Sequence, residues 1–237
     1  RHVAPLIAEA IADIERGKSV MILATCGFML RSLTASLRRS GVPFHNPYRS
    51  THGGWNPLRG GAGRLLAYLA PDPGTYGDDA DIWSWADAKA WVEVVRAKGV
   101  LAPGGKAWVS NLGKDEERCF QRMDASDGEA VFGDNWELLK EVFSSGRPLD
   151  WLEDNLLASK RSFMEYAINV ARKSGTKALR EDPLLTVGSI HSVKGAQADT
   201  VILLPDISPS GMREWHKPGD GKDGMIRTFY VGMTRAR

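Results

Sequence analysis

Apolar positions along this chain alternate between two spacings. Val3, Leu6, Ile7, Ala10, Ile11 and Ile14 recur at helical intervals, with Pro5 where a first turn tolerates it and Gly17 placed to close the end. Residues 19–24 then read as a buried strand. Residues 28–39 read as an amphipathic helix, with Leu30, Leu33 and Leu37 inward and Arg31, Arg38 and Arg39 on a solvated face. Near the other end, 186–190 is β-prone and breaks at His191 into a polar loop holding Lys194 and Gly195. The four unbroken apolar residues 201–204 follow, a run suited to a strand buried on both faces of a parallel sheet. Polar residues just after such strands stand at the carboxyl edge, where open α/β folds gather ligands.

The middle of the chain has another character. Residues 42–63 are rich in Gly and Pro and are expected to form a loop, followed by a short helix carrying Leu65, Leu66, Tyr68 and Leu69. PDPGTYGDDAD at 71–81 marks a break. Between 79 and 182 the spacing is helical, most clearly over 82–96, 134–143 and 149–172, and Leu152, Leu156, Phe163, Ala167 and Val170 form the expected inward stripe of the longest segment. Trp83, Trp85, Trp91, Trp108, Trp136 and Trp151 fall here and are read as core. A Gly- and Pro-rich surface loop is expected over 205–224 and a helix over 225–237, with Met225, Phe229 and Met233 one above another. The pattern predicts an α/β domain from 1–75 and 180–237, interrupted by a helical insert over 76–179.

Composition narrows the picture only a little. The chain has 237 residues, 43% hydrophobic and 25% charged, with a net charge of +2, and no apolar run of membrane-spanning length. No signal peptide is visible, and Cys26 and Cys119 lack metal-ligand spacing, so a cytoplasmic protein without a zinc site or disulfide framework is expected. Such a charge balance does not announce a nucleic-acid partner, and any basic track must be local.

One phosphate-binding candidate fails on context. ADIERGKS at 12–19 loosely fits the pattern ending in Gly-Lys-Ser. A phosphate loop follows a strand and opens a helix, so that backbone N–H groups at the helix start face the phosphates. Here a helix precedes Gly17 and a strand follows Lys18.

Two stretches near the end carry a resemblance. SIHSVKGAQAD at 189–199 resembles the fifth motif of superfamily 1 helicases of the UvrD/Rep type, usually T-x-H-x-x-K-G-L-E. FYVGMTRA at 229–236 resembles the sixth, Y-V-x-x-T-R-A. Residues 20–44 resemble, more weakly, the region around the fourth. The resemblance covers both ends of the chain and hardly any of its middle. It implies a RecA-like parallel sheet flanked by helices, the second motor domain of a phosphate-loop NTPase, with the helical insert as a subdomain.

The resemblance also implies roles. ATP and Mg²⁺ would be held mainly by a first, N-terminal RecA-like domain outside this sequence. Arg235 matches the arginine finger, and Gly195 and Gln197 fall in the nucleotide-facing motif. Ser189, His191, Ser192 and Lys194 fall where the family meets single-stranded DNA. Thr25 stands where the fourth motif commonly has an Arg directed at the γ-phosphate, and Gln197 near a usual Glu on the ribose. Tyr230 would sit in a hinge or in the core. The expected function is the C-terminal motor domain of an ATP-dependent DNA helicase, 3′ to 5′ by analogy, acting on single-stranded and duplex DNA with no membrane partner. The sequence stops within a motif, as a piece of a longer protein would. The alternative is a decayed, non-catalytic interaction module, which Thr25 and Gln197 recommend.

Overall fold

The computed structural model describes residues 3–47, 57–69, 83–112, 121–217 and 219–237. The break expected at 71–81 and Cys119 lie outside them. Two compact units emerge, one made of Arg1–Pro57 with Arg180–Arg237 and the other of Leu58–Leu179. Among the described residues there are eleven α-helices and one three-stranded parallel sheet, so the protein is α/β and mostly helical.

In the first unit, α1 (Val3–Glu15) leads through a turn at Gly17 into β1 (Val20–Ala24), and a short 3₁₀ turn feeds α2 (Arg31–Arg39). The order helix, turn, strand around Gly17 and Lys18 is the reverse of a phosphate loop. β2 (Leu185–Ser189) and β3 (Thr200–Leu203) flank β1 in the order β2-β1-β3, with Val20 opposite both Leu185 and Thr200. The central strand is the buried one, all five residues at 5% exposure or less. The sequence reading expected burial on both faces for β3. Instead β3 is half-buried throughout, because it has a neighbour on one side only among the described residues.

Strand alternation divides the core. Met21 and Leu23 face a cluster with Ile190, Val193 and Ala198, against which Val201, Leu203, Phe229 and Val231 pack. Val20, Ile22 and Ala24 point the other way, and α1 packs on both β1 and α2.

The expected surface loop holds α10 (Pro209–Trp215), started by Ser208, whose hydroxyl accepts from the Gly211 amide at 3.0 Å. The last helix, α11 (Asp220–Met233), begins earlier than expected, with Asp220 and Asp223 suiting the positive end of the dipole. It also stops earlier: Thr234 to Arg237 leave the helix, and Met233 is exposed.

The second unit is helical. The helix α3 (Pro57–Leu69) begins inside the stretch expected to be loop, and from Leu58 onward it belongs to this unit. Its glycines permit a close approach: a methyl group at Gly61 would stand 2.9 Å from the Phe163 carbonyl oxygen. Then come α4 (Trp85–Val92), α5 (Gly105–Leu112), α6 (Ala125–Phe132) and α7 (Asn135–Ser144). The long helix expected over 149–172 is two, α8 (Pro148–Asn155) and α9 (Ala158–Ser174). It breaks because the backbone at Leu156 and Leu157 is extended, with the Leu157 amide donating to Val94 O and the Arg96 amide to Asn155 O, both at 2.9 Å. The break turns Phe163 outward to 41% exposure while Leu152, Leu156, Ala167 and Val170 stay buried.

Trp83, Trp91, Phe132, Trp136, Phe143 and Trp151 gather around Tyr68 or one another at centroid separations of 5.0 to 6.3 Å. Each such pair contributes about 0.5–1.5 kcal/mol beyond its buried area. Trp85 is buried too, whereas Trp108 is partly exposed.

Candidate functional site

The functional candidates of the first unit fall at the two ends of its sheet. At the carboxyl edge, Thr25 follows β1 and Ser189 closes β2. The 3₁₀ turn Ile190–Val193 is pinned by the buried Ile190 and Val193, which leaves His191 exposed between them. Thr25, Ser189 and His191 line a cavity of about 520 Å³ together with Arg31, Thr34 and Arg38 of α2, and with Phe28, Phe44 and Asn46. Arg31, Thr34 and Arg38 share one helix face because they are spaced at i, i+3 and i+7. The sequence reading assigned both arginines to a solvated face, and both are exposed. Their common spacing was the available signal, but only the packing of α2 beside the strand ends directs that face into the cavity.

Hydrogen bonds fix part of this rim. The Ser192 hydroxyl donates to Ser189 O at 2.7 Å. The Thr25 hydroxyl donates to Asp206 O at 3.0 Å and so ties the strand ends together.

The chain then travels back across the sheet. Lys194 is exposed, and Gly195 takes φ +87°, a left-handed conformation that a side chain would strain. The exposed Gln197 and buried Ala198 lead to Asp199 at the amino edge, directly before β3. There the Ala198 amide donates to Arg235 O at 2.9 Å and the Arg237 amide to Ala198 O at 3.1 Å. The Lys194–Gly195 turn and Arg235 are therefore joined through the segment 196–198.

Arg235 is half-buried. Its Nε donates to Val231 O at 3.0 Å, Nη1 to Ala196 O at 3.4 Å and Nη2 to the Thr234 hydroxyl at 3.1 Å, and no carboxylate among the described residues pairs with it. Thr25 lies elsewhere: it follows the carboxyl end of β1, whereas the Arg235 backbone is tied to the amino end of β3. Tyr230 is 62% exposed and is not core.

The amino edge also carries a group of paired charges. Arg237 and Ser19 hydrogen-bond the Asp199 carboxylate and hold it well below the usual carboxylate range, while Asp199 pushes Arg237 up. Asp13 is lowered as well, first by the Thr200 hydroxyl at 2.6 Å and then by Lys18 and Arg16. Among the described residues no group of three or more His, Cys, Asp or Glu could hold a metal ion, and no helix is long and apolar enough to cross a membrane.

Compared with family models, curated proteins and solved structures, the chain matches none. The class that the fold defines is an α/β protein with a three-stranded parallel sheet among predominantly helical structure.

Proposed function

We propose that this chain is the second RecA-like motor domain, with a helical insert, of an ATP-dependent DNA helicase of the UvrD/Rep type that moves 3′ to 5′ on single-stranded DNA. The observation that carries the reading is Arg235, a half-buried guanidinium with no carboxylate partner among the described residues, joined through 196–198 to the Lys194–Gly195 turn. A guanidinium satisfied only by neutral oxygens fits an incoming anion such as the terminal phosphate of a nucleotide. Gly195 and Gln197 border the same place. The first RecA-like domain would supply the phosphate loop and Mg²⁺, and Arg235 the charge that offsets what develops on the γ-phosphate. At the other edge, Ser189, His191 and Ser192 would meet DNA phosphates, with Arg31 adding a cation from α2 and Lys194 another from the turn that leaves this edge.

The deciding experiment is DNA-stimulated ATP hydrolysis by the full-length protein with and without Arg235→Ala. A fall of about 10³-fold or more is expected, the lower end of what an arginine finger contributes. Unchanged hydrolysis overturns the reading. This chain alone, having no phosphate loop, is expected to hydrolyse no ATP.

A second reading is a nucleic-acid-binding module without turnover. Thr25 favours it, because its hydroxyl is engaged by Asp206 and it sits at the sheet edge away from Arg235. DNA binding by a full-length protein that hydrolyses no ATP would select this reading.

A further inference from the structure

Asp199 is the meeting point of three parts of the first unit. Its carboxylate accepts from the Ser19 amide at 2.9 Å and the Ser19 hydroxyl at 2.7 Å, which ties the start of β3 to the start of β1. The same carboxylate accepts from Arg237 Nε at 2.9 Å and Nη2 at 3.3 Å, a two-point fork that fixes orientation as well as distance. Beside this fork, residues 235–237 run parallel to 198, with Ala198 opposite Ala236 and a backbone hydrogen bond on either side of it. Arg235 therefore lies between two anchors. Behind it is the last turn of α11, where its amide donates to Gly232 O at 3.2 Å and its Nε to Val231 O. Ahead of it, two residues on, is the fork to Asp199.

A helix end held from one side only frays. The fork itself adds little to stability, since the Arg237 and Asp199 side chains are 59% and 35% exposed and solvent screens the pair. What it does supply is geometry, and Arg235 is the group whose geometry it governs.

We propose that Asp199 and Arg237 are positioning residues for Arg235: their ion pair holds the segment leaving α11 against the loop returning from Gly195, and so sets where the Arg235 guanidinium is presented. This rests on the reading of Arg235 as the arginine that faces the nucleotide phosphate. Neither residue touches the nucleotide; they act through the backbone on either side of Arg235.

The experiment is steady-state DNA-stimulated ATP hydrolysis by the full-length protein carrying Arg237→Met, Arg237→Lys, Ser19→Ala or Arg235→Ala, with the melting temperature of each. Arg237→Met is expected to lower kcat by about tenfold or more, since a misplacement of about 1 Å costs up to about 10²-fold. KM for ATP should stay within about threefold, as for an interaction realised only in the transition state. Arg237→Lys, which keeps the charge, should recover part of the loss. Ser19→Ala removes a hydroxyl bond to Asp199 but spares the fork, and should retain kcat. If Arg237→Met keeps full kcat while Arg235→Ala abolishes turnover, the positioning role is wrong and the reading of Arg235 stands. If Arg235→Ala turns over normally, the reading of Arg235 fails first and takes the positioning role with it. A loss in Ser19→Ala equal to that in Arg237→Met makes the tie merely structural and overturns the proposal.

Discussion

The amide of Ala198 donates to the carbonyl of Arg235 at 2.9 Å, which couples the chain entering β3 to the chain leaving α11 at the residue that bears the guanidinium. Neighbours in space here are nearly forty residues apart in sequence. The two ends of the sheet are also chemically distinct: an arginine without a carboxylate partner among the described residues sits at the amino edge, and a cavity with two arginines and a histidine opens at the carboxyl edge.

Replacing Arg235 by Lys tests whether planar geometry matters at the amino edge. Lysine keeps a positive charge but loses the fixed fork of donors. In the full-length protein, Arg235→Lys is expected to recover little of the ATP turnover lost in Arg235→Ala. Full recovery would mean that charge alone suffices there.

Arg31 is expected to contribute one phosphate contact at the carboxyl edge. Arg31→Gln should weaken single-stranded DNA binding across sequences and reduce the slope of log K against log salt by about 1. Fluorescence titrations at several salt concentrations measure this directly, and an unchanged slope would remove Arg31 from the track.

In the helical unit, Gly128 on α6 lies flat against the Trp136 indole, and a methyl group there would fall inside the ring's contact surface. Both the α6 backbone and the buried Trp136 would have to shift. Gly128→Ala is expected to destabilise the protein by about 1–3 kcal/mol, the usual cost of overpacking a core, outweighing the gain of about 1 kcal/mol in helix propensity. Urea unfolding followed by circular dichroism reads the difference.

Stability should decline at both extremes of pH, for separable reasons. The folded-state pKa values of Asp199 and Asp13 lie below their ordinary values, so in that interval the unfolded chain binds more protons and stability rises with pH. Their contribution is complete above about pH 4, the ordinary carboxylate value, and is lost as pH falls through the folded values. Asp199→Asn should make this acid limb shallower. Tyr68 is shifted the other way by burial, its hydroxyl donating to Pro148 O at 2.8 Å. Its contribution is full below about pH 10, the ordinary tyrosine value, and is lost as pH rises beyond it, so Tyr68→Phe should flatten the alkaline limb. Urea midpoints across the pH range test both substitutions.

Much of the local structure could be read from apolar spacing, because a buried strand or an amphipathic helix declares itself within a few residues. The three strands, α1 and the inward leucines of α2 are of this kind. The single helix expected over 149–172 is not, because Leu156 and Leu157 have good helical neighbours and are drawn into extended backbone by Val94 and Arg96, about sixty residues away. Likewise the first turns of α3, within 57–63, could not be seen through their glycines until Phe163 and Ala167 were there to accept the close approach, although the helix carrying Leu65 to Leu69 was expected.

By itself the sequence determined which segments bury an apolar face, and it singled out His191, Lys194 and Arg235 as candidates through a resemblance of short motifs, since both depend on residue type and short spacing. The tertiary structure alone decided that Arg31 opens onto the same cavity as His191, that Thr25 stands at the edge away from Arg235, and that Asp199 grips Arg237. Parallel strands set side by side bring the ends of distant segments together, and no spacing along the chain encodes which ends will meet.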